Sequence, residues 1–422
     1  MKVGFYLNNE NISNTDLSNI EKGNPGIGGS EYLCVLIANE LCKRQNIDTI
    51  LLADKNSKFP TTLKYAVCQN LERALEQYSK SIDIFVIDSK RFNIKMAHQY
   101  PHTKFILWIN NKMRIEEMEQ CAKLNNIIKF VHVGREMYDL YRDSWIFPKM
   151  TYIYNAISFN FLKDFPNLLP ANKRQNKVVY IGSLVPSKGF HLLAKAWPNI
   201  LKAVPDAELY VIGSGKLYNQ NAKLGPLGIA EASYEEKFAK YLTDNNTKIL
   251  PSVHFMGVIG HDKNRILSQC KVGVPNPSGI SETFGYTAIE MTAMGCLITT
   301  KKCPGYIDTV FNTKLLYNNS AKLSKYIIRL LRDETKNDYN ASLNYIKQNF
   351  DINIIIGKWE DLILNDCPVY PPSSRSNYRH KNIKEFIRIY VPYFWKKRIP
   401  CIESFYENKL TNIIRNIKNK FQ

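Results

Sequence analysis

Short apolar runs alternate with helical patterns twice along the chain, and this doubled alternation restricts the fold more than any other feature. In the first half, residues 2–7, 49–53, 82–88, 105–109 and 128–133 read as strands buried on both faces. Helical patterns lie between several of them, notably over 31–44 and 135–145. A stretch rich in Asn, Pro and Lys with no clear period, 159–177, then reads as a linker. Beyond it the alternation resumes, with strands expected at 178–184, 209–212, 253–258, 272–275 and 297–300 and helices at 191–204, 263–270 and 284–294. Such βαβ order puts helices on both faces of a parallel sheet and a ligand crevice outside the carboxyl ends of the strands. The expectation is an α/β protein with two Rossmann-like, doubly wound domains, 1–160 and 177–350, facing across a cleft. Residues 351–365, with Trp359, read as a helix packing back across both, and 366–422 as a C-terminal helical extension.

Composition agrees with two or three domains: 422 residues, 45% hydrophobic and 12% aromatic, suffice for sizeable cores. No apolar stretch reaches the length that crosses a bilayer, and the N-terminus reads as a strand rather than a signal peptide, so a cytoplasmic protein is expected. Nine cysteines without a C-x-x-C pair point to neither disulfides nor zinc. The net charge of +19 requires an anionic partner or another explanation, and charge alone does not choose among nucleic acid, membrane and substrate. Residues 366–422 carry twelve Lys or Arg against four acids, interleaved with aromatic residues. That pattern suits the anionic inner face of a membrane, and equally a solvated basic appendage. No nucleic-acid-binding motif accompanies it, so nucleic acid is not expected as a partner.

The run P-S-G-I-S-E-T-F-G-Y-T-A-I-E-M-T-A-M-G, residues 277–295, sets Glu282 and Glu290 around a strand-to-helix turn. Gly285 is expected in the opening turn of that helix, where unpaired N–H groups and the positive end of the dipole would favour a diphosphate. Glu282, in the loop, can accept hydrogen bonds from neutral hydroxyls. Glu290, expected about two turns into the helix, would reach another part of the same elongated ligand. As an isolated pair they also fit a dipole-favoured charge and a solvated surface residue.

Other motifs fall in order around this run. Asn24-Pro25-Gly26-Ile27-Gly28-Gly29-Ser30-Glu31 is a Gly-rich loop ahead of an apolar helix; it starts well beyond the first strand and lacks the G-x-G-x-x-G spacing of a dinucleotide site. Leu107-Trp108-Ile109-Asn110-Asn111 ends the fourth strand, and Val131-His132-Val133-Gly134-Arg135 the fifth, where His132 reads as a strand residue. The second half opens with Tyr180-Ile181-Gly182-Ser183-Leu184-Val185-Pro186-Ser187-Lys188-Gly189, followed by Val211-Ile212-Gly213-Ser214-Gly215 and Phe255-Met256-Gly257, with a long polar insertion over 216–247.

Over residues 1–365 these motifs together resemble family 4 glycosyltransferases, retaining enzymes of the GT-B fold with an E-x7-E signature. The resemblance implies that Glu282 meets hydroxyls of a donor sugar and Glu290 the nucleotide ribose. It places the backbone of Thr283, Phe284 and Gly285 near the sugar and phosphates, Gly28 and Gly29 along the cleft, and Gly213 where a glycine admits the nucleotide. Lys188 matches a diphosphate-gripping Lys; Ser183 replaces the Arg that usually shares this task, leaving one hydroxyl in place of a charge. Asn110 stands where many members carry a His, and an amide can hydrogen-bond a hydroxyl but cannot act as acid or base near neutrality. Gly134 replaces a customary serine.

The implied activity is metal-independent transfer of a sugar from a nucleotide donor, UDP- or GDP-linked, to a carbohydrate or lipid-linked acceptor. Glu282, Lys188 and Asn110 would be the catalytic residues, and no cofactor beyond the donor is needed. Lipopolysaccharide or capsule assembly is the implied setting. Another enzyme on the same fold, such as an epimerase or phosphorylase, and a noncatalytic sugar-binding protein remain alternatives.

Overall fold

A computed structural model describes residues 1–141, 144–216, 222–245, 248–280, 282–334 and 338–365, so the expectations for the basic aromatic tail at 366–422 lie outside the described residues. Two parallel sheets form the framework. The first contains β1 (Lys2–Leu7), β2 (Asp48–Ala53), β3 (Tyr65–Val67), β4 (Ile84–Asp88), β5 (Lys104–Ile109), β6 (Ile127–His132) and β7 (Met150–Tyr152), in the order β3-β2-β1-β4-β5-β6-β7. Helices α1 (Gly29–Leu41), α2 (Leu71–Tyr78), α3 (Ile94–Gln99), α4 (Ile115–Ala122) and α5 (Arg135–Asp139) connect them.

The second sheet contains β8 (Lys177–Ile181), β9 (Glu208–Ile212), β10 (Val253–Gly257), β11 (Val272–Gly273) and β12 (Leu297–Ile298), in the order β10-β9-β8-β11-β12. With it come α6 (Phe190–Ala203), α7 (Ala232–Ala239), α8 (Lys263–Leu267), α9 (Tyr286–Ala293), α10 (Pro304–Thr309) and α11 (Leu323–Leu331), then α12 (Tyr339–Phe350) and α13 (Ile352–Asn365).

The strands expected from apolar runs are present because strands buried on both faces have no polar alternation to obscure them. Two were not expected. β3 is a three-residue edge strand with two of its residues exposed, and β7 is equally short, so neither makes a distinctive run. The helix expected over 135–145 stops at Asp139. Beyond it Tyr141 turns inward, its ring stacked 5.2 Å from that of His132 and its hydroxyl donating to the Met113 carbonyl, so tertiary contacts override the helical pattern. Within the insertion, Ala230, Tyr234, Phe238 and Leu242 are buried in the second core, which makes α7 part of that domain's packing.

Helix α9 is where the two halves share a core. Ile289 and Ala293, with Phe284 just ahead of the helix, pack with the first-domain cluster, whereas Ala288 and Met291 join a second-domain cluster. A helix apolar on most of its circumference is stable only when enclosed in this way. Helix α13 returns to the first core: Trp359 is buried, edge-on to Phe5 at 6.0 Å and to Trp108 at 5.0 Å between ring centroids. The crossover is held by paired backbone bonds, Ile157 N–H to the Phe350 carbonyl at 2.8 Å and Ile352 N–H to the Ile157 carbonyl at 3.0 Å. Among the described residues, no helix is long and apolar enough to cross a membrane.

Candidate functional site

In the second sheet, β8 lies between β9 and β11, and the chain order reverses between β8 and β11. Loops leaving those two strands diverge to opposite sides and leave a crevice between them. Lys188 sits in the loop after β8 and Glu282 in the loop after β11. They meet there, with Lys188 Nζ 3.0 Å from Glu282 Oε2. The same Oε2 accepts from Asn276 Nδ2 at 3.0 Å, while Glu282 Oε1 accepts from the Gly285 N–H at 3.1 Å. The loop carrying Glu282 is braced by side chains on both flanks. Ser278 Oγ donates to the Ser187 carbonyl at 2.6 Å, Thr300 Oγ1 to the Asn276 carbonyl at 2.9 Å, and the Tyr317 hydroxyl to the Pro277 carbonyl at 2.8 Å.

Gly285 differs from expectation. It is the left-handed cap just ahead of α9, at φ 86°, not a residue of the opening turn, and its N–H is taken by Glu282. The start of the helix therefore acts first on Glu282, and the cleft is lined beyond it by Tyr286 and Thr287. Glu290 is the fifth residue of α9, about one turn in rather than two. It is buried and paired with Lys263, Oε1 to Nζ 2.7 Å. Sequence reading gave Lys263 no role: a lysine in a short helix carries no motif, and the contact joins elements distant in the chain.

Lys188, Glu282 and Glu290 line one cleft of about 890 Å³, including its open mouth, together with Gly28, Gly29, Ser183 and Gly213. Ser183 contributes mainly backbone, because its hydroxyl is buried and donates to the Ser214 carbonyl at 3.3 Å. Gly213, at φ 144°, is a position for glycine alone: a Cβ there would lie 1.9 Å from the Gly182 carbonyl oxygen. Gly182 and Gly213 both line the cleft at the ends of β8 and β9. From the first domain, the Gly-rich loop completes the wall with Asn24, Gly26 and Ile27.

Thr283, Phe284 and Asn110 are not in this cleft lining. Phe284 is buried in the first core against Tyr154 and Phe350. Thr283 Oγ1 donates to the Asn110 carbonyl at 2.7 Å, tying the signature loop to the end of β5. Asn110 itself lines a neighbouring hollow at the carboxyl ends of β1, β4 and β5, with Asn8, Glu31, Asp88, Lys90 and Arg91. This is the order-reversal point of the first sheet, between β1 and β4. Asn110 Nδ2 donates to Asp88 Oδ2 at 3.1 Å, and loss of water pushes that carboxyl above its usual range. Nearby, Asp54 is raised by the same cause and accepts from the Tyr6 hydroxyl at 2.6 Å.

Away from the cleft, Asp308 of α10 reaches into the first domain. Its Oδ2 accepts from the Glu136 N–H at 3.0 Å and Oδ1 from the Tyr154 hydroxyl at 3.3 Å. Burial holds this carboxyl well above its ordinary range. A Cβ at position 134 would stand 2.7 Å from Asp308 Oδ2 and 3.1 Å from the Thr283 carbonyl oxygen, so the glycine leaves room for this contact between the domains. His132 is a core residue at the end of β6: burial pushes its imidazole down to about 3, and neither ring nitrogen has a hydrogen-bond partner among the described residues.

Residues 175–333 match the family described as "Glycosyl transferases group 1". A search of curated proteins finds no match. Among solved structures, the chain is similar to HepE from Anabaena in complex with UDP and glucose, at TM-score 0.61 and 15% identity over 86% of this chain and 99% of that one. A glycosyltransferase from Rickettsia africae ESF-5 aligns at TM-score 0.64 and 14% identity with the same coverages. S. aureus TarM, a mutant in complex with fondaparinux, alpha-GlcNAc-glycerol and UDP, aligns at TM-score 0.53 and 15% identity over 69% of this chain and 58% of that one. At these identities the likeness is one of fold, and the fold is the expected GT-B arrangement.

Proposed function

We propose that the protein is a retaining glycosyltransferase that moves a sugar from a nucleoside diphosphate donor, UDP- or GDP-linked, to a hydroxyl of a carbohydrate or lipid-linked acceptor. The observation that carries this reading is the convergence of Lys188, Glu282 and Glu290 on one cleft at the reversal point of the second sheet. Two complexes among the similar folds hold UDP with a sugar or glycoside, which supports the same ligand class here.

In this reading the donor lies with its ribose at Glu290, its sugar hydroxyls at Glu282 and its diphosphate at Lys188. A departing nucleoside diphosphate gains negative charge as the glycosidic bond breaks, and a nearby ammonium stabilises it most at that moment. Lys188 supplies this charge, so the reading assigns no step to a metal. The Lys188–Glu282 pair would separate as phosphate takes the lysine and sugar hydroxyls take the carboxylate. The acceptor would enter along the hollow bearing Asn110. Retention by front-face attack depends on holding the acceptor hydroxyl beside the leaving phosphate, a task of positioning that an amide can share. The cleft's setting in lipopolysaccharide or capsule assembly remains part of the proposal.

The test is a panel of nucleotide sugars screened for thermal stabilisation, followed by turnover with candidate acceptors. The reading expects one base and sugar to stabilise the fold and nucleoside diphosphate to be released in an acceptor-dependent way. Conversion of the free nucleotide sugar to its epimer without acceptor would replace this reading with an epimerase, and binding without turnover across the acceptor panel would replace it with a sugar-binding protein.

A further inference from the structure

We propose that Lys263 is a positioning residue that couples occupation of the donor pocket to closure of the first domain over it. The inference rests on the transferase reading above. Lys263 opens α8, and its side chain is 7% exposed, as deeply placed as Glu290 at 8%. Its ammonium makes two contacts from opposite domains: Glu290 Oε1 at 2.7 Å and the Asn24 carbonyl of the Gly-rich loop at 3.1 Å. A nearly dry ammonium needs its donors satisfied, so the pair of contacts fixes where the loop must lie.

The loop presents that carbonyl in a set direction. Asn24 Oδ1 accepts from both Gly26 N–H and Ile27 N–H at 2.9 Å, and Asn24 Nδ2 donates to the Ile27 carbonyl at 3.0 Å. The loop also rests directly on the segment leading to α8. A Cβ at Gly26 would come within 2.5 Å of Val258 Cγ1, and one at Gly260 within 3.4 Å of the Pro25 carbonyl oxygen. Both segments line the donor cleft. A second cross-domain bond at this lining, from the Tyr286 hydroxyl to the Tyr32 hydroxyl at 3.5 Å, is long and uncharged, and those at Asp308 and Thr283 involve no group of the lining.

Two consequences follow. A ribose held by the second oxygen of Glu290 restrains the carboxylate, the carboxylate restrains Lys263, and Lys263 holds the loop; donor binding and closure thereby favour each other. A loop released from Lys263 would admit water. Water in place of the acceptor hydroxyl would then take the sugar, breaking the bond from the anomeric carbon to the phosphate oxygen and giving free sugar, nucleoside diphosphate and a proton.

The experiment uses the full chain with Lys263→Met, and Lys263→Arg as the conservative variant. Lys263→Met is expected to raise the donor KM about tenfold, within the usual range of coupling between sites. It should also raise nucleoside diphosphate release without acceptor relative to release with it. Lys263→Arg, which keeps the charge and can donate to both partners, should return both quantities toward the parent. A merely structural lysine would lower the melting temperature and leave the hydrolysis-to-transfer ratio unchanged, and that result overturns the proposal. Should Lys263→Met fail to fold, Lys263→Gln, of similar reach and uncharged, undergoes the same measurement with the same criterion. A parent protein that binds no nucleotide sugar removes the transferase reading and this inference together, whereas a parent that turns over beside a variant of unchanged ratio removes this inference alone.

Discussion

At the carboxyl end of the second sheet, charges of opposite sign are paired: Lys188 with Glu282 and Lys263 with Glu290. At the corresponding end of the first sheet, carboxyls are satisfied by neutral donors. Asp54 accepts from Tyr6 and Asn8, and Asp88 from Asn110 and the Lys90 N–H. Both of those carboxyls are raised by loss of water, whereas each pair in the second domain keeps a cation next to its carboxylate. The first arrangement suits a ligand rich in hydroxyls; the second can exchange an internal ion pair for a phosphate. Under the proposed reading this is the division between acceptor and donor, and it agrees with a family match confined to residues 175–333.

The largest effect is expected at Trp359, which follows the second domain in sequence but packs in the first core. Trp359→Ala is expected to cost about 3–5 kcal/mol, as for large aromatic truncations in cores. Chemical denaturation followed by a first-domain probe should register the loss. If only second-domain probes shift, the assignment of α13 to the first core is wrong. Next in size, Lys188→Ala and Glu282→Ala should each lower acceptor-dependent turnover by about 10²–10³-fold, the range for removing a preorganised electrostatic contact. Thermal midpoints near that of the parent would separate lost chemistry from lost fold.

Smaller effects test the contact between domains. Gly134→Ser puts a side chain against Asp308 Oδ2 and should destabilise by about 1–3 kcal/mol, the usual cost of overpacking. A melting temperature equal to the parent's would show that the interface yields at no cost. Asp308 yields the finest prediction. Because its carboxyl stands well above the ordinary range, the unfolded chain loses this proton first, and stability declines as pH rises past about 4 toward the folded value. Asp308→Asn removes the titration, so melting temperatures from pH 5 to 8 should fall less steeply in the variant. Parallel slopes would contradict the assignment.

The doubled sheet was legible because parallel strands buried on both faces leave continuous apolar runs, and β1, β5 and β9 coincide closely with those runs. Strands β3 and β7, of three residues each, leave none. That Lys188, Glu282 and Glu290 would share one cleft was legible through motif spacing. Lys263 was not, because it reaches Glu290 and the Asn24 carbonyl by tertiary contacts, and the Asn276 bond to Glu282, within one loop, belongs to no motif. The depth of Glu290 was misjudged because the helix begins at Tyr286 rather than at Phe284. The crowding at Gly134 comes from Asp308 and the Thr283 carbonyl, on elements of the other domain that no local pattern reveals. Ser183 shows the opposite limit: its position in the cleft was legible, but the turn of its hydroxyl toward Ser214 depends on the neighbouring strand end.

A crystal structure with UDP or GDP bound decides whether one cleft clasps a nucleoside diphosphate sugar, as proposed. The account predicts ribose hydroxyls within hydrogen-bond distance of Glu290 and the diphosphate beside Lys188, with the Lys188–Glu282 contact opened. A nucleotide seated elsewhere, or ordered in this cleft with Lys188 and Glu282 still paired and Glu290 untouched, would contradict it.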